Sequence, residues 1–179
     1  MCICTRKLFK KVFYAYLCIM TDSHKITIRI KSTHQDMNMA VKTITIHKEF
    51  NAPLTEVFST LSDHHKFGKI CGIKMTRIHD GDDGANGLGS IRKINIGPLP
   101  AFEETITDFI PNELIEYKIT QGSPIKNHVG TLRFSGQNNK TILDYTIELE
   151  SVIPFTTGLI KSALENGLSK GLQHYASSL

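Results

Sequence analysis

The sequence predicts a single α+β domain in which an antiparallel β-sheet packs against one long C-terminal helix. Residues 42–50 alternate β-branched and polar side chains, which is typical of a half-buried strand. Six further strand-like segments lie between residues 73 and 150, joined by short stretches rich in Gly, Pro, Asn and Asp. Links this short favour an antiparallel meander, because a parallel crossover needs about a dozen residues. From Phe155 to Ala176 the apolar residues recur at helical spacing instead.

The helices flank this run of strands. After the first strand, Pro53 suits the first turn of a helix, and Asn51 can cap the free amides of that turn. This helix is expected to end near Asp63, and a second short helical turn is expected within 64–72. The later strands are predicted at 73–80, 88–96, 102–109, 113–120, 128–135 and 141–150.

Two glycines interrupt the predicted terminal helix. Gly167 and Gly171 each cost a helix about 1 kcal/mol relative to Ala. We therefore expect them to serve a purpose, either a close approach to another backbone or room left for a ligand.

Composition and charge restrict the class of protein. The chain has 179 residues, of which 40% are hydrophobic and 21% charged, which suits one globular core and excludes collagen, coiled coil or wholesale disorder. The net charge of +4 arises in residues 1–38, where seven Lys and Arg oppose two Asp. The rest of the chain holds fourteen basic and fifteen acidic residues, so we expect no nucleic-acid partner.

Residues 1–38 are predicted to be an N-terminal extension, and residues 39–179 the folded domain. An apolar stretch at 12–20 follows several basic residues, but it is shorter than the roughly 20 residues that span a bilayer, and no cleavage site follows. We expect no stable membrane insertion, and interpret the extension as an unstructured leader or a start codon assigned too far upstream. Three of the four cysteines lie there, so the domain holds only Cys71 and cannot close an internal disulfide, which favours a cytoplasmic setting.

Four parts of the chain carry a resemblance to a known fold family. They are IHKEFNAPLTEVFSTLSDHHKF, GLGSIRKINIG, FEETITDF with IEYKIT, and GLIKSALENGLSKGLQHYA. Their order resembles the helix-grip fold of the SRPBCC superfamily, which includes START lipid-transfer domains, birch-pollen-allergen-like proteins and polyketide cyclases and dehydrases. The likeness is strongest with the polyketide cyclase/dehydrase branch and covers about residues 41–176. It implies a curved antiparallel sheet of six to seven strands wrapped on the C-terminal helix, with two short helices after the first strand.

A curved sheet cannot pack flat against one straight helix, so we expect space between them that side chains or a ligand can fill. Because alternate residues of a strand face the same side, each strand assigns its inward residues by parity. The predicted ligand-binding residues are Phe102, Ile106, Tyr117, Ile119, Leu132, Phe134, Tyr145, Ile147, Leu164 and Leu168. The same parity places Glu104, Asp108 and Ile110 on the apolar side of their strand.

Several polar residues among these have two open interpretations. Glu104 is either a desolvated carboxylate that takes part in proton transfer or a carboxylate paired with Arg92 or Lys93 at the sheet rim. His128 has the same parity as the inward Leu132 and Phe134 and could donate to a ligand or accept from it, but at the start of its strand we expect it to be half exposed and inert. Tyr117 and Tyr145 either offer hydroxyls to a ligand or are core aromatics bonded to a main-chain carbonyl.

Other kinds of site are excluded by their motifs. The glycine-rich stretch 81–89 lacks the Lys-Ser/Thr of a phosphate loop and is interpreted as a hairpin. Read as a calcium loop, it has Ala85 where Gly is needed and Ile91 where Glu is needed. His64 and His65 lack a second ligand pair with zinc-finger spacing and are interpreted as surface histidines. We expect no metal and no cofactor.

The sequence thus predicts a module that binds a small, mostly hydrophobic molecule between sheet and helix. The resemblance permits an alternative, a cyclase or dehydrase that uses Glu104 or His128 as acid or base. A second alternative is a co-chaperone-like module that binds a protein partner. The oligomeric state, monomer or dimer, stays open.

Overall fold

The computed structural model describes residues 41–96, 100–123, 125–152 and 156–179, so the predicted extension 1–38 lies outside the described residues. Ten helices and strands are described in these ranges. They are β1 (Lys42–Phe50), α1 (Leu54–Ser62), α2 (His64–Cys71), β2 (Lys74–His79), β3 (Ile91–Asn95), β4 (Phe102–Ile110), β5 (Leu114–Gln121), β6 (Ile125–Gln137), β7 (Lys140–Ser151) and α3 (Thr157–Ala176).

The strands form one open, curved antiparallel sheet of seven strands in the order β1-β7-β6-β5-β4-β3-β2. From β2 to β7 each strand pairs with the next one in sequence, as the short links predict. The β6–β7 connection is the tightest: Gln137 pairs with Lys140, and Asn138 and Asn139 between them have φ angles of 52° and 60°. Two consecutive positive φ angles are the mark of the hairpin turn whose twist matches that of the strands. The predicted α+β helix-grip fold is confirmed.

The two short helices follow β1 directly. α1 begins after Pro53, and no side chain caps its free amides, so the predicted cap by Asn51 is wrong. Asn51 lies two residues before the cap position, where its side chain cannot serve the first turn. Asp63 separates the helices and caps α2 by accepting a hydrogen bond from the Lys66 amide at 2.8 Å. Gly72, with a φ of 68°, ends α2 in the left-handed conformation that glycine adopts without strain.

The long helix α3 packs against β1 and α2 and buries Ala163, Leu168 and Leu172. A Cβ atom at Gly171 would lie 2.2 Å from the carbonyl oxygen of Ile70, so this glycine lets α3 approach the backbone of α2. A Cβ at Gly167 would meet no atom of the described structure within 4 Å. The close backbone approach that we expect is therefore found at Gly171. None of the helices in the described ranges is long and apolar enough to cross a membrane.

A β-bulge in β4 changes which of its residues face the core. The pairing of β4 with β5 shifts register between Ile106 and Asp108, so the alternation reverses there. Phe109 turns inward and meets the ring of Phe58 at a centroid distance of 5.5 Å. Asp108 and Ile110 are exposed, and their predicted position on the apolar side is wrong.

Candidate ligand-binding site

The interior contains an ion pair that joins two neighbouring strands. Arg92 of β3 lies opposite Glu104 of β4, and Nε of Arg92 donates to Oε2 of Glu104 at 2.8 Å. Their side chains are only 3% and 8% exposed. Glu104 is thus paired with Arg92 and not with the exposed Lys93, but the predicted position at the sheet rim is wrong, because both partners are in the core. Burial alone would lower the pKa of Arg92, yet the Glu104 carboxylate raises it, so the guanidinium stays charged.

Aromatic rings surround the Arg92 guanidinium. Its Cζ atom lies 4.4 Å from the ring centroid of Tyr117 and 5.7 Å from that of Phe67. The negative face of an aromatic ring attracts a cation, most strongly where water is excluded. Tyr117 fits here because Gly130 is its neighbour on β6: a Cβ at Gly130 would lie 2.2 Å from Cζ of the Tyr117 ring. The ring therefore occupies the space that a side chain at position 130 would need.

The hydroxyl groups of Tyr117 and Tyr145 hydrogen-bond to each other. Both side chains are buried, and burial raises the pKa of each hydroxyl above its ordinary value. The partner of each hydroxyl is thus the other tyrosine and not the main-chain carbonyl of one interpretation, while a contact of either hydroxyl with a ligand stays a prediction. The hydrogen bond fixes both rings beside Arg92.

His128 is buried, at 8% exposure, and its ring centroid lies 5.6 Å from that of Tyr117. The predicted half-exposed position is wrong. The register of β6 with β7 is regular from Val129 onward, and His128 lies on the same side of β6 as the buried Leu132 and Phe134. Burial lowers the pKa of His128, outweighing the opposite effect of Glu104. The imidazole is therefore neutral near pH 7.

His64, at the start of α2, is also buried, so its interpretation as a surface residue is wrong; His65 is exposed. Nε2 of His64 lies 3.5 Å from Oγ of Ser90, which is buried too. Burial, followed by the charges of Arg92 and Arg77, lowers the pKa of His64 to about 3.

Three buried nitrogen atoms in this region have no hydrogen-bond partner among the described residues. They are Nη2 of Arg92, Nδ1 of His64 and Nδ1 of His128. Most buried polar atoms in proteins are hydrogen-bonded, so an unpaired buried donor is available to a bound molecule. We call the group formed by His64, Arg92, Glu104, Tyr117, His128 and Tyr145 the Arg92 cluster. Its open donor, Nη2 of Arg92, can bind an oxygen acceptor.

Apolar residues enclose this cluster, and all ten predicted ligand-binding residues lie on the inward side of the protein. Those that are fully buried are Ile106, Tyr117, Leu132, Phe134, Tyr145, Ile147 and Leu168. Those that are partly buried and pack against the core are Phe102 and Leu164, and Ile119 is also partly buried. Within the described ranges, no three His, Cys, Asp or Glu side chains are grouped so that they could hold a metal ion.

Sequence reasoning missed Arg92 and His64 as members of the site. In the predicted strand 88–96, Leu88, Ile94 and Ile96 have the parity of Arg92 and Ile91 has the other, so alternation gave a usable signal for Arg92. His64 had a usable signal: it precedes Phe67, Gly68 and Cys71 by three, four and seven residues, the spacing of one helix face.

Burial raises the pKa of the Cys71 thiol to about 12, so the only cysteine of the described residues is protonated near pH 7.

Comparison with known proteins agrees with this architecture. A family model described as polyketide cyclase / dehydrase and lipid transport matches residues 41–179. No curated protein matches the chain.

Several solved structures share the fold at low sequence identity. A START superfamily protein from Mycobacterium smegmatis has a TM-score of 0.64 and 16% identity, over 76% of this chain and 97% of its own. The Zhui aromatase/cyclase from Streptomyces sp. R1128 has a TM-score of 0.61 and 15% identity, over 75% and 93%. The Aha1 dimer from Colwellia psychrerythraea has a TM-score of 0.58 and 16% identity, over 77% and 96%. At this level of identity the likeness shows the fold alone.

Proposed function

Since the chain belongs to the polyketide cyclase / dehydrase and lipid transport family, we propose that it binds a small, mostly hydrophobic molecule between the curved sheet and α3. The polar group of this molecule would bind at the Arg92 cluster, and its apolar part would contact the surrounding aliphatic and aromatic side chains. The proposal includes a cytoplasmic location, which the low cysteine content of the domain supports.

One observation supports the proposal above all others: a fully buried guanidinium has a nitrogen without a hydrogen-bond partner among the described residues. A fold that only needed a stable core would gain little from a buried ion pair, since apolar residues of similar volume are often as stabilising or more so. A polar group inside an apolar enclosure is the usual means by which a binding site orients its ligand.

The test is a titration of the protein with N-phenylnaphthylamine, a neutral dye that fluoresces in apolar surroundings, followed by displacement with unlabelled ligands. The matched variants are the double substitution Arg92→Met with Glu104→Leu, which removes the ion pair without leaving an unpaired charge, and Lys93→Met on the opposite face of β3. We expect displacement by ligands that contain a carbonyl group to weaken about tenfold in the double variant, the value of one hydrogen bond to a charged donor, and to be unchanged in Lys93→Met. A wild-type protein that does not bind the dye would contradict the proposal.

A second candidate function is acid–base catalysis of the cyclase or dehydrase kind, and the position of His128 favours it. His128 is neutral, buried and next to Tyr117, so it can accept a proton from a bound molecule. Glu104 is a less available base, because its carboxylate is already bonded to Arg92. If this candidate is correct, His128→Gln will abolish turnover of a cyclisable polyketone while its binding persists; equal turnover by the wild type and the variant would contradict it.

A further inference from the structure

The charges of the Arg92 cluster sum to zero before any ligand binds. Arg92 carries one positive charge and Glu104 one negative charge, and they are hydrogen-bonded at 2.8 Å. The other members are uncharged near pH 7: burial keeps both histidines neutral and both tyrosines protonated. Cys71, which interacts electrostatically with Arg92 and Glu104, is protonated as well.

The hydrogen-bonding capacity of the cluster is not balanced in the same way. Glu104 accepts a hydrogen bond from Nε of Arg92. Nη2 of the same guanidinium is a donor without a hydrogen-bond partner among the described residues. A guanidinium nitrogen only donates, so the missing partner is an acceptor. At the guanidinium the site therefore lacks an acceptor atom but does not lack a charge. The other two unpaired atoms, Nδ1 of His64 and Nδ1 of His128, belong to neutral imidazoles and require no charged partner either.

On this basis we propose that the bound molecule presents an uncharged oxygen acceptor, such as a ketone or amide carbonyl, to Arg92, and that carboxylates and amines are excluded. This inference rests on the proposed function and specifies its ligand class. A carboxylate would bring a second negative charge beside Glu104 into the buried interior, where Arg92 would have to balance both. An ammonium group would be repelled by Arg92 and has no acceptor to offer to Nη2.

Three probes with the same ring system separate these cases in the wild-type protein. They are acetonaphthone, a neutral ketone, naphthoate, a carboxylate, and naphthylmethylamine, an ammonium near pH 7. Each is titrated against the complex of the protein with N-phenylnaphthylamine. We expect the ketone to displace the dye at a concentration at least about tenfold lower than either ion. The reason is that burying an unbalanced charge lowers the affinity by more than about tenfold.

The outcomes distinguish this inference from the function on which it depends. If the dye binds and naphthoate displaces it at the same concentration as the ketone, the exclusion of charged ligands is overturned and the binding function stands. If the protein does not bind the dye, both are overturned. If the ketone alone displaces the dye efficiently, both are supported.

The variant Glu104→Gln provides a second readout. It leaves the cluster with one positive charge, so we expect the preference for the ketone over naphthoate to fall by about tenfold or to reverse. Lys93→Met changes the charge of β3 on its exposed face and is expected to leave the preference unchanged. An unchanged preference in a folded Glu104→Gln protein would contradict the inference, and the wild-type ranking decides it if that variant does not fold.

Discussion

At the scale of single residues, the interior depends on the pairing of Arg92 with Glu104. Either charge alone would be buried without compensation, whereas the pair together is close to neutral in its effect on stability. Mutation of one partner should therefore lower the free energy of unfolding more than mutation of both does, although the double variant loses more atoms.

The first prediction follows from this asymmetry. Arg92→Met alone should lower the free energy of unfolding by about 3–5 kcal/mol, since it leaves the Glu104 carboxylate buried and unpaired. Adding Glu104→Leu should restore most of this loss. Urea denaturation of the wild type, the two variants and the control Lys93→Met measures these differences. A single variant as stable as the control would show that the ion pair is not buried in solution.

The second prediction concerns the loss of stability at acid pH. The pKa of His64 is about 3 in the folded protein and about 6.5 when the chain is unfolded, so between these values the unfolded state binds the extra proton. The contribution of His64 to stability is complete above about pH 6.5 and is lost as the pH falls towards 3. Between pH 7 and pH 5 this residue alone should remove about 2 kcal/mol from the free energy of unfolding.

Substitution isolates this effect. His64→Gln should make the decline in stability with acid less steep, while His65→Gln, its exposed neighbour, should leave the decline unchanged. The measurement is the urea midpoint at several pH values for the three proteins. Equal pH dependence in the wild type and His64→Gln would contradict the burial of this imidazole.

At the scale of elements, the contact between α3 and α2 depends on one glycine and not on the other. Gly171→Ala would place a methyl group 2.2 Å from the carbonyl oxygen of Ile70, so the helices must separate. We expect a loss of about 1–3 kcal/mol in the free energy of unfolding. Gly167→Ala has no neighbour within 4 Å and should instead stabilise α3 by about 0.5–1 kcal/mol. Thermal unfolding compares the two variants, and changes of the same sign and size would contradict this packing.

In the strands, alternation predicts which residues face the core only as far as the register stays regular. Alternation correctly assigned the inward faces of β5, whose pairing with β6 is regular, and of β7, whose pairing with β1 is regular. It failed beyond the bulge of β4, where Asp108 is exposed, because one extra residue reverses every side chain after it. Bulges leave no clear mark in a single sequence.

The members of the candidate site were harder to predict than the strands. Glu104 and both tyrosines could be placed inward from the apolar residues on their own strands. Arg92 has the parity of the apolar residues in its predicted strand 88–96, but its burial also depends on the carboxylate that the neighbouring strand supplies. Such a contact between strands is a property of the sheet register, which a single strand does not contain.

At the scale of the whole molecule, the seven-stranded sheet, the two short helices and α3 follow from the order of periodic segments along the chain. The site does not follow in the same way, since it joins β3, β4, β5, β6, β7 and α2. These elements bring a neutral ion pair, two neutral histidines and two tyrosines into one apolar interior. For the proposed function, this interior must admit a small molecule.

The most direct test is a crystal structure of the protein grown with acetonaphthone. We expect density for the ketone between the sheet and α3, with its oxygen within hydrogen-bonding distance of Nη2 of Arg92. An interior closed by side chains alone, with the ketone absent or bound only at the surface, would contradict it.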